Sequence, residues 1–142
     1  MAVAVFDADV LVAYLGKDDA NHVEAVARMR QALEPGTRRL VSAVNYSEVL
    51  IGPLRRAGSA GVATVDAMLD DLGIETVRVD RVLARRAAAV RVRTGLKLPD
   101  AYALATAITV LEQGGRDIRL ESFDTRVVKA YAALDPLPAD LA

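Results

Sequence analysis

The sequence predicts an α/β protein: a mostly parallel, twisted sheet of four or five strands, covered by helices on both faces. Three observations carry that prediction. Short apolar runs that read as strands alternate with helical segments from one end of the chain to the other. The run Ala2-Val3-Ala4-Val5-Phe6 is apolar at every position, as a strand buried on both faces must be, and it leads straight into the carboxylate of Asp7. The 142 residues, 53% hydrophobic and 26% charged, suffice for one well-cored domain over 1–142, with no repeat, linker or low-complexity segment.

The elements follow in order. After the strand ending at Asp7, Val10 to Leu15 forms a short apolar helix stopped by Gly16. Lys17-Asp18-Asp19 is a polar turn. Asn21 can cap the next helix, with Glu24 three residues on, and that helix runs to Leu33 before Pro35-Gly36. Arg39 to Ala43 is a short strand. A helix from about Asn45 carries Tyr46, Leu50 and Leu54 on one face, and Pro53 predicts a kink or early end. Gly58 to Gly61 breaks the chain before a helix from Val62 to Leu72. Ile74 to Val79 is a strand, and Asp80 caps a long helix through Arg93 that Gly95 closes. Pro99 starts a further helix, ended by Gly114-Gly115. Ile118 to Phe123 is the last strand, ending at Asp124, and a helix from Val127 to Leu134 and a Pro-containing tail follow.

Composition narrows the chemistry. The net charge of −1 sets up no global basic field, although a local basic patch suffices to bind nucleic acid. The absence of cysteine removes disulfides, thiolate zinc sites and cysteine nucleophiles. His22 is the only histidine, so a zinc site is not expected and a surface helix position is; no nucleophile elbow supports a Ser-His-Asp triad. With no signal-like segment and no apolar run near the roughly 18 residues of a spanning helix, a soluble cytoplasmic protein is expected.

The acidic residues carry the functional argument. Open α/β sheets bind ligands just beyond the carboxyl ends of their strands. Asp7 and Asp124 are each the first carboxylate after a predicted strand. Asp100 follows Pro99 at a helix start, four residues before Leu104 in the stripe Leu104, Ala107, Ile108, Leu111, which places it on the buried face. Glu48 lies in the first turn of the Asn45 helix, just past a strand. Four carboxylates on one rim repel one another unless cations fill the site or some of them hold protons, with at least one pKa raised. Oxygen-only ligands suit Mg²⁺ or Mn²⁺, and one or two such ions can activate a water for phosphodiester hydrolysis.

At these residues the chain resembles the PIN-domain family, in particular the bacterial VapC-type ribonuclease toxins. The matching pieces are Val5-Phe6-Asp7-Ala8-Asp9, Ser47-Glu48-Val49-Leu50, Leu98-Pro99-Asp100-Ala101 and Ser122-Phe123-Asp124-Thr125-Arg126, in order over nearly the whole chain. The resemblance implies a Mg²⁺-dependent endoribonuclease, a homodimer, and a cognate antitoxin whose C-terminal segment lies across the active site. It implies Asp7 and Asp100 as principal metal ligands, Asp124 completing the acidic site, and Glu48 binding metal or orienting the attacking water. Many members carry Ser or Thr where this chain has Asp9. Asp9 is read either as a fifth carboxylate at the metal or as the N-cap of the helix from Val10.

Basic residues are the expected RNA contacts: Arg93 and Lys97 foremost, then Arg55 and Arg56, with Arg38, Arg39, Arg85, Arg86 and Arg91 as further candidates. Six aromatic residues leave little for base stacking. The apolar face of Leu50 and Leu54, with Val62, Val65 and Leu69, reads equally well as a dimer or antitoxin surface and as core. The alternatives are a PIN-fold nuclease outside toxin–antitoxin systems and a non-catalytic scaffold that keeps the acidic rim.

Overall fold

Alternation along the first strand sets the layering. Val3 and Val5 face one hydrophobic core and Ala4 and Phe6 face the other, so this strand is buried on both sides. In the computed structural model, which describes residues 1–134 and 136–142, the described residues form four strands and seven helices. Strands β1 (Ala2–Phe6), β2 (Thr37–Ser42), β3 (Ile74–Val77) and β4 (Ile118–Glu121) pair in parallel in the order β3-β2-β1-β4. Phe6 stands in register with Val41 on one side and Glu121 on the other. The residues that follow β1, β2 and β4 therefore emerge side by side.

The helices are α1 (Ala8–Leu15), α2 (His22–Ala32), α3 (Ala43–Ala57), α4 (Ser59–Asp71), α5 (Arg81–Thr94), α6 (Leu98–Glu112) and α7 (Thr125–Ala132). α1 to α4 cover the Ala4/Phe6 face, with Leu11, Met29, Val49 and Val65 in the core. α5 to α7 cover the Val3/Val5 face, with Leu83, Val90, Leu104, Ile108 and Val127. The parallel α/β architecture predicted from the sequence is thus present, with four strands. No helix among the described residues is long and apolar enough to cross a membrane.

Several local expectations are corrected. α3 begins at Ala43 because Ser42 caps it, accepting from the Asn45 amide at 3.0 Å. Glu48 consequently sits in its second turn, not its first. Pro53 does not end α3, which continues to Ala57, and Gly58 alone, at φ +56°, separates it from α4. Close packing of α4 on α3 sustains the helix past the missing proline N–H. Gly61 lies so near the Pro53 carbonyl that a Cβ there would stand 2.2 Å from its oxygen. Asn21 occupies the N-cap position of α2 without a side-chain bond to it. His22 is half-buried and lies 2.8 Å through Nδ1 from the Ala13 carbonyl, tying α2 to α1. α6 is buried almost all round from Ala101 to Ile108, and Leu111 is only partly so.

Candidate active site

Asp7 is the single residue between β1 and α1. Its backbone N–H donates to the Glu121 carbonyl at 2.9 Å, extending the β1–β4 ladder by one residue. Its side chain caps α1, Oδ1 accepting from Ala8 N at 2.8 Å, and Oδ2 accepts from the Ser122 hydroxyl at 2.9 Å. The residue is only 4% exposed. Burial, then the charge of Asp9, pushes its pKa up to about 7.

Because Asp7 is the cap, Asp9 is not. Asp9 lies in the first turn of α1, where its Oδ2 accepts from Phe123 N at 2.9 Å and joins α1 to the chain leaving β4. Its Oδ1 is buried and finds no hydrogen-bond partner among the described residues. Burial raises the Asp9 pKa, and the charges of Asp100 and Asp124 add to the rise.

Glu48 arrives from α3 and is held by an amide. Asn45, fully buried, donates from Nδ2 to Glu48 Oε1 and to the Pro99 carbonyl, each at 3.0 Å, while its Oδ1 accepts from the Ser42 hydroxyl at 2.6 Å. One side chain thereby ties the end of β2, the Glu48 turn and the start of α6. Burial raises the Glu48 pKa, Asn45 opposes the rise, and Asp100 and Asp9 reinforce it.

Asp100 stands in the first turn of α6, three residues past the N-cap residue Lys97, whose carbonyl accepts from Ala101 N at 2.9 Å. Its pKa is raised by burial and by Asp124, against the opposing charges of Arg126 and Lys97. Asp124 caps α7 by accepting from Arg126 N at 2.9 Å. Its pKa alone in the set is lowered, chiefly by the hydrogen-bonded Arg126 guanidinium.

The fold brings Asp7, Asp9, Glu48, Asp100 and Asp124 into one electrostatic neighbourhood on the carboxyl rim of the sheet. An open groove of about 680 Å³ runs beside them, lined by Ala8, Asp9, Val12, Glu48, Phe123 and Asp124 among others. The donor set is all oxygen, which suits a hard divalent cation, and the orphaned Oδ1 of Asp9 is a carboxylate oxygen in need of a cation or a proton. Among the described residues no three or more His, Cys, Asp or Glu side chains stand as a ready-made cage.

The expected RNA-contact residues scatter. Lys97 precedes Asp100 and its charge reaches that carboxylate. Arg93 is exposed and paired with Asp140 at 2.9 Å. Arg55 and Arg56 lie exposed in the last turn of α3, and Arg56 lines a second groove with Lys17, Val12 and Gly52, the last two shared with the acidic groove. Arg38 pairs with Glu75, Arg39 is bound to the carbonyls of Leu72, Ala32 and Thr37, and Arg86 reaches Leu141 O, Thr109 and Glu112. Of the apolar candidates for a partner surface, Val65 and Leu69 are core, whereas Leu54 stays exposed.

Sequence reasoning did not single out Asn45, Ser122 or Arg126. Asn45 and Glu48 are three apart on one helix face, a readable pairing signal, and Ser122 and Arg126 flank Asp124 at two residues either side.

Comparison with known proteins adds three findings. The family model described as the PIN domain matches residues 4–134. Among curated proteins none matches. The VapC20 toxin of Mycobacterium tuberculosis, described as cleaving the sarcin–ricin loop, superposes with a TM-score of 0.65 at 18% identity, covering 89% of this chain and 95% of that one.

Proposed function

The chain belongs to the PIN-domain family, and on that premise we propose that it is a Mg²⁺-dependent endoribonuclease, the toxin of a type II toxin–antitoxin pair. The observation that carries the reading is the coupling of Asp7, Asp9, Glu48, Asp100 and Asp124, delivered by three neighbouring strands and the start of α6 to one rim. A desolvated, all-oxygen acidic site beside an open groove suits hydrolysis of a phosphodiester. The structural likeness to a toxin described as cutting the sarcin–ricin loop favours RNA over DNA.

In this reading Asp7 and Asp100 hold Mg²⁺, for which Mn²⁺ can substitute, and Asp124, Glu48 and Asp9 are further oxygen donors. When bound, the cation supplies an activated water and offsets charge on the phosphodiester. The protein's part is positioning and proton transfer. Ser122 and the α1 amide fix both oxygens of Asp7. Asn45 fixes Oε1 of Glu48, leaving Oε2 to take the proton of the attacking water. A homodimer, and a cognate antitoxin segment lying across the acidic groove, complete the proposal. Exposed Val12 and Ile51, which line that groove, offer such a segment apolar footing.

The test is cleavage of RNA by the purified protein with Mg²⁺, set against Asp7→Asn and Asp100→Asn. Both variants should lose cleavage while keeping the wild-type circular dichroism spectrum. Wild-type rates from Asp100→Asn would overturn the site.

A further inference from the structure

We infer that Arg126 is a phosphate-contacting residue for the RNA substrate, an inference that rests on the endoribonuclease reading. Five carboxylates on one rim repel a phosphodiester, so the strand needs protein cations close to the cleavage point. Two cations, Arg126 and Lys97, offset the charge of Asp100. Arg126 is also bonded to a second rim carboxylate: Nε lies 3.3 Å from Asp124 Oδ1 and Nη2 lies 3.1 Å from Oδ2.

Three features suit this guanidinium to a substrate role and not a structural one. Its side chain is 65% exposed, so it contributes little packing. The capping of α7 uses the Arg126 backbone N–H, so the helix end does not depend on the guanidinium. An exposed ion pair contributes little to stability, and the planar fork that grips a carboxylate grips a phosphate equally well. Exchanging Asp124 for a phosphate therefore costs little and frees Oδ2 of Asp124. Several other arginines are held by protein partners, Arg38 by Glu75 and Arg91 by the Leu96 carbonyl among them. Arg28 lies 4.7 Å from the Phe123 ring centroid and donates to the Ser122 carbonyl at 3.0 Å, and Arg93 is held by Asp140.

The experiment measures kcat and KM on a fluorescein-labelled RNA oligonucleotide spanning a site that the wild type cleaves, over a range of KCl concentrations, with Arg126→Gln and Arg126→Lys. For Arg126→Gln, KM should rise roughly tenfold with kcat little changed, as for loss of one charged hydrogen-bond donor. The slope of log(kcat/KM) against log[KCl] should become shallower by about 0.7, one phosphate contact on a single strand. Arg126→Lys should keep the wild-type slope and recover part of the KM. An unchanged KM and salt slope in Arg126→Gln, or a change confined to its melting temperature, would overturn the assignment. Were Arg126→Gln unable to fold, Arg126→Lys decides: a KM equal to wild type means that the fork makes no phosphate contact. A wild type that cleaves no RNA would instead remove the endoribonuclease reading, and this inference with it.

Discussion

Every polar atom of the buried Asn45 amide group that could hold this site together is in use, on Ser42, Glu48 and Pro99. Asn45→Ala should therefore lower unfolding free energy by about 2 kcal/mol, through lost bonds and partners left unpaired, as read by urea denaturation. It should also lower kcat in conditions where the variant is folded, because Glu48 Oε1 loses its anchor. Asp7 supplies a second prediction. Its pKa of about 7 in the fold exceeds the ordinary 3.8, so between these values the folded state binds a proton that the unfolded state does not. Stability of the cation-free protein should therefore be greatest at the acidic end of that window and fall as pH rises through about 7. Melting scans from pH 5 to 8 in EDTA would show it, and a rising melting temperature would refute it. Asp7→Asn should flatten that dependence. These effects were only half legible in the sequence. A carboxylate ending an apolar strand announces a desolvated charge, but the hydroxyl that meets it belongs to Ser122, 115 positions away.

At the scale of elements, the close approach of α3 and α4 is the sharpest constraint. A Cβ on Gly61 would stand 2.2 Å from the Pro53 oxygen and 2.5 Å from its carbon, both backbone atoms that cannot rotate aside. Gly61→Ala should cost about 2–3 kcal/mol by forcing the helices apart, measurable by chemical denaturation. Tyr46 on α3 donates to Asp66 on α4 at 2.6 Å and would be strained by the same movement. Sequence reading took Pro53 as a kink or stop and Gly58 to Gly61 as a break. Local propensity was outweighed by packing, which keeps α3 helical past the proline. α6 shows the same limit differently. A stripe was readable, but Ala103, Ala105 and Thr106 lie off it and are buried too. Alanine is small enough to be covered on any face, so its burial leaves little periodic trace.

At the scale of the molecule, function depends on the order of the strands. β1 is central, and β2 and β4 flank it, so the chain turns to one side after β1 and returns on the other with β4. Crevices at such reversals of strand order are where open α/β sheets bind ligands. Since the five carboxylates repel one another there, a bound divalent cation should stabilise the whole fold. At a concentration 100 times its dissociation constant the gain is about 2.7 kcal/mol. For a chain of this size that raises Tm by roughly 5–10 °C. The shift with MgCl₂ or MnCl₂ should vanish in Asp7→Asn, whose cation-free form should be at least as stable as wild type at pH 8. An Asp7→Asn protein stabilised as strongly as wild type would place the cation elsewhere.

What the sequence determined by itself was the alternation of strands and helices and the identity of the acidic residues, because a carboxylate directly after an apolar strand or in the first turn of a buried helix is a local pattern. Tertiary structure alone decided that β4 lies beside β1, which brings Asp124 and Ser122 to Asp7. It also decided that Asp7 and not Asp9 caps α1, leaving Asp9 an oxygen without a partner among the described residues. Strand order and side-chain pairing across 115 residues are set by how two cores close over one sheet, and no local stretch of sequence encodes that.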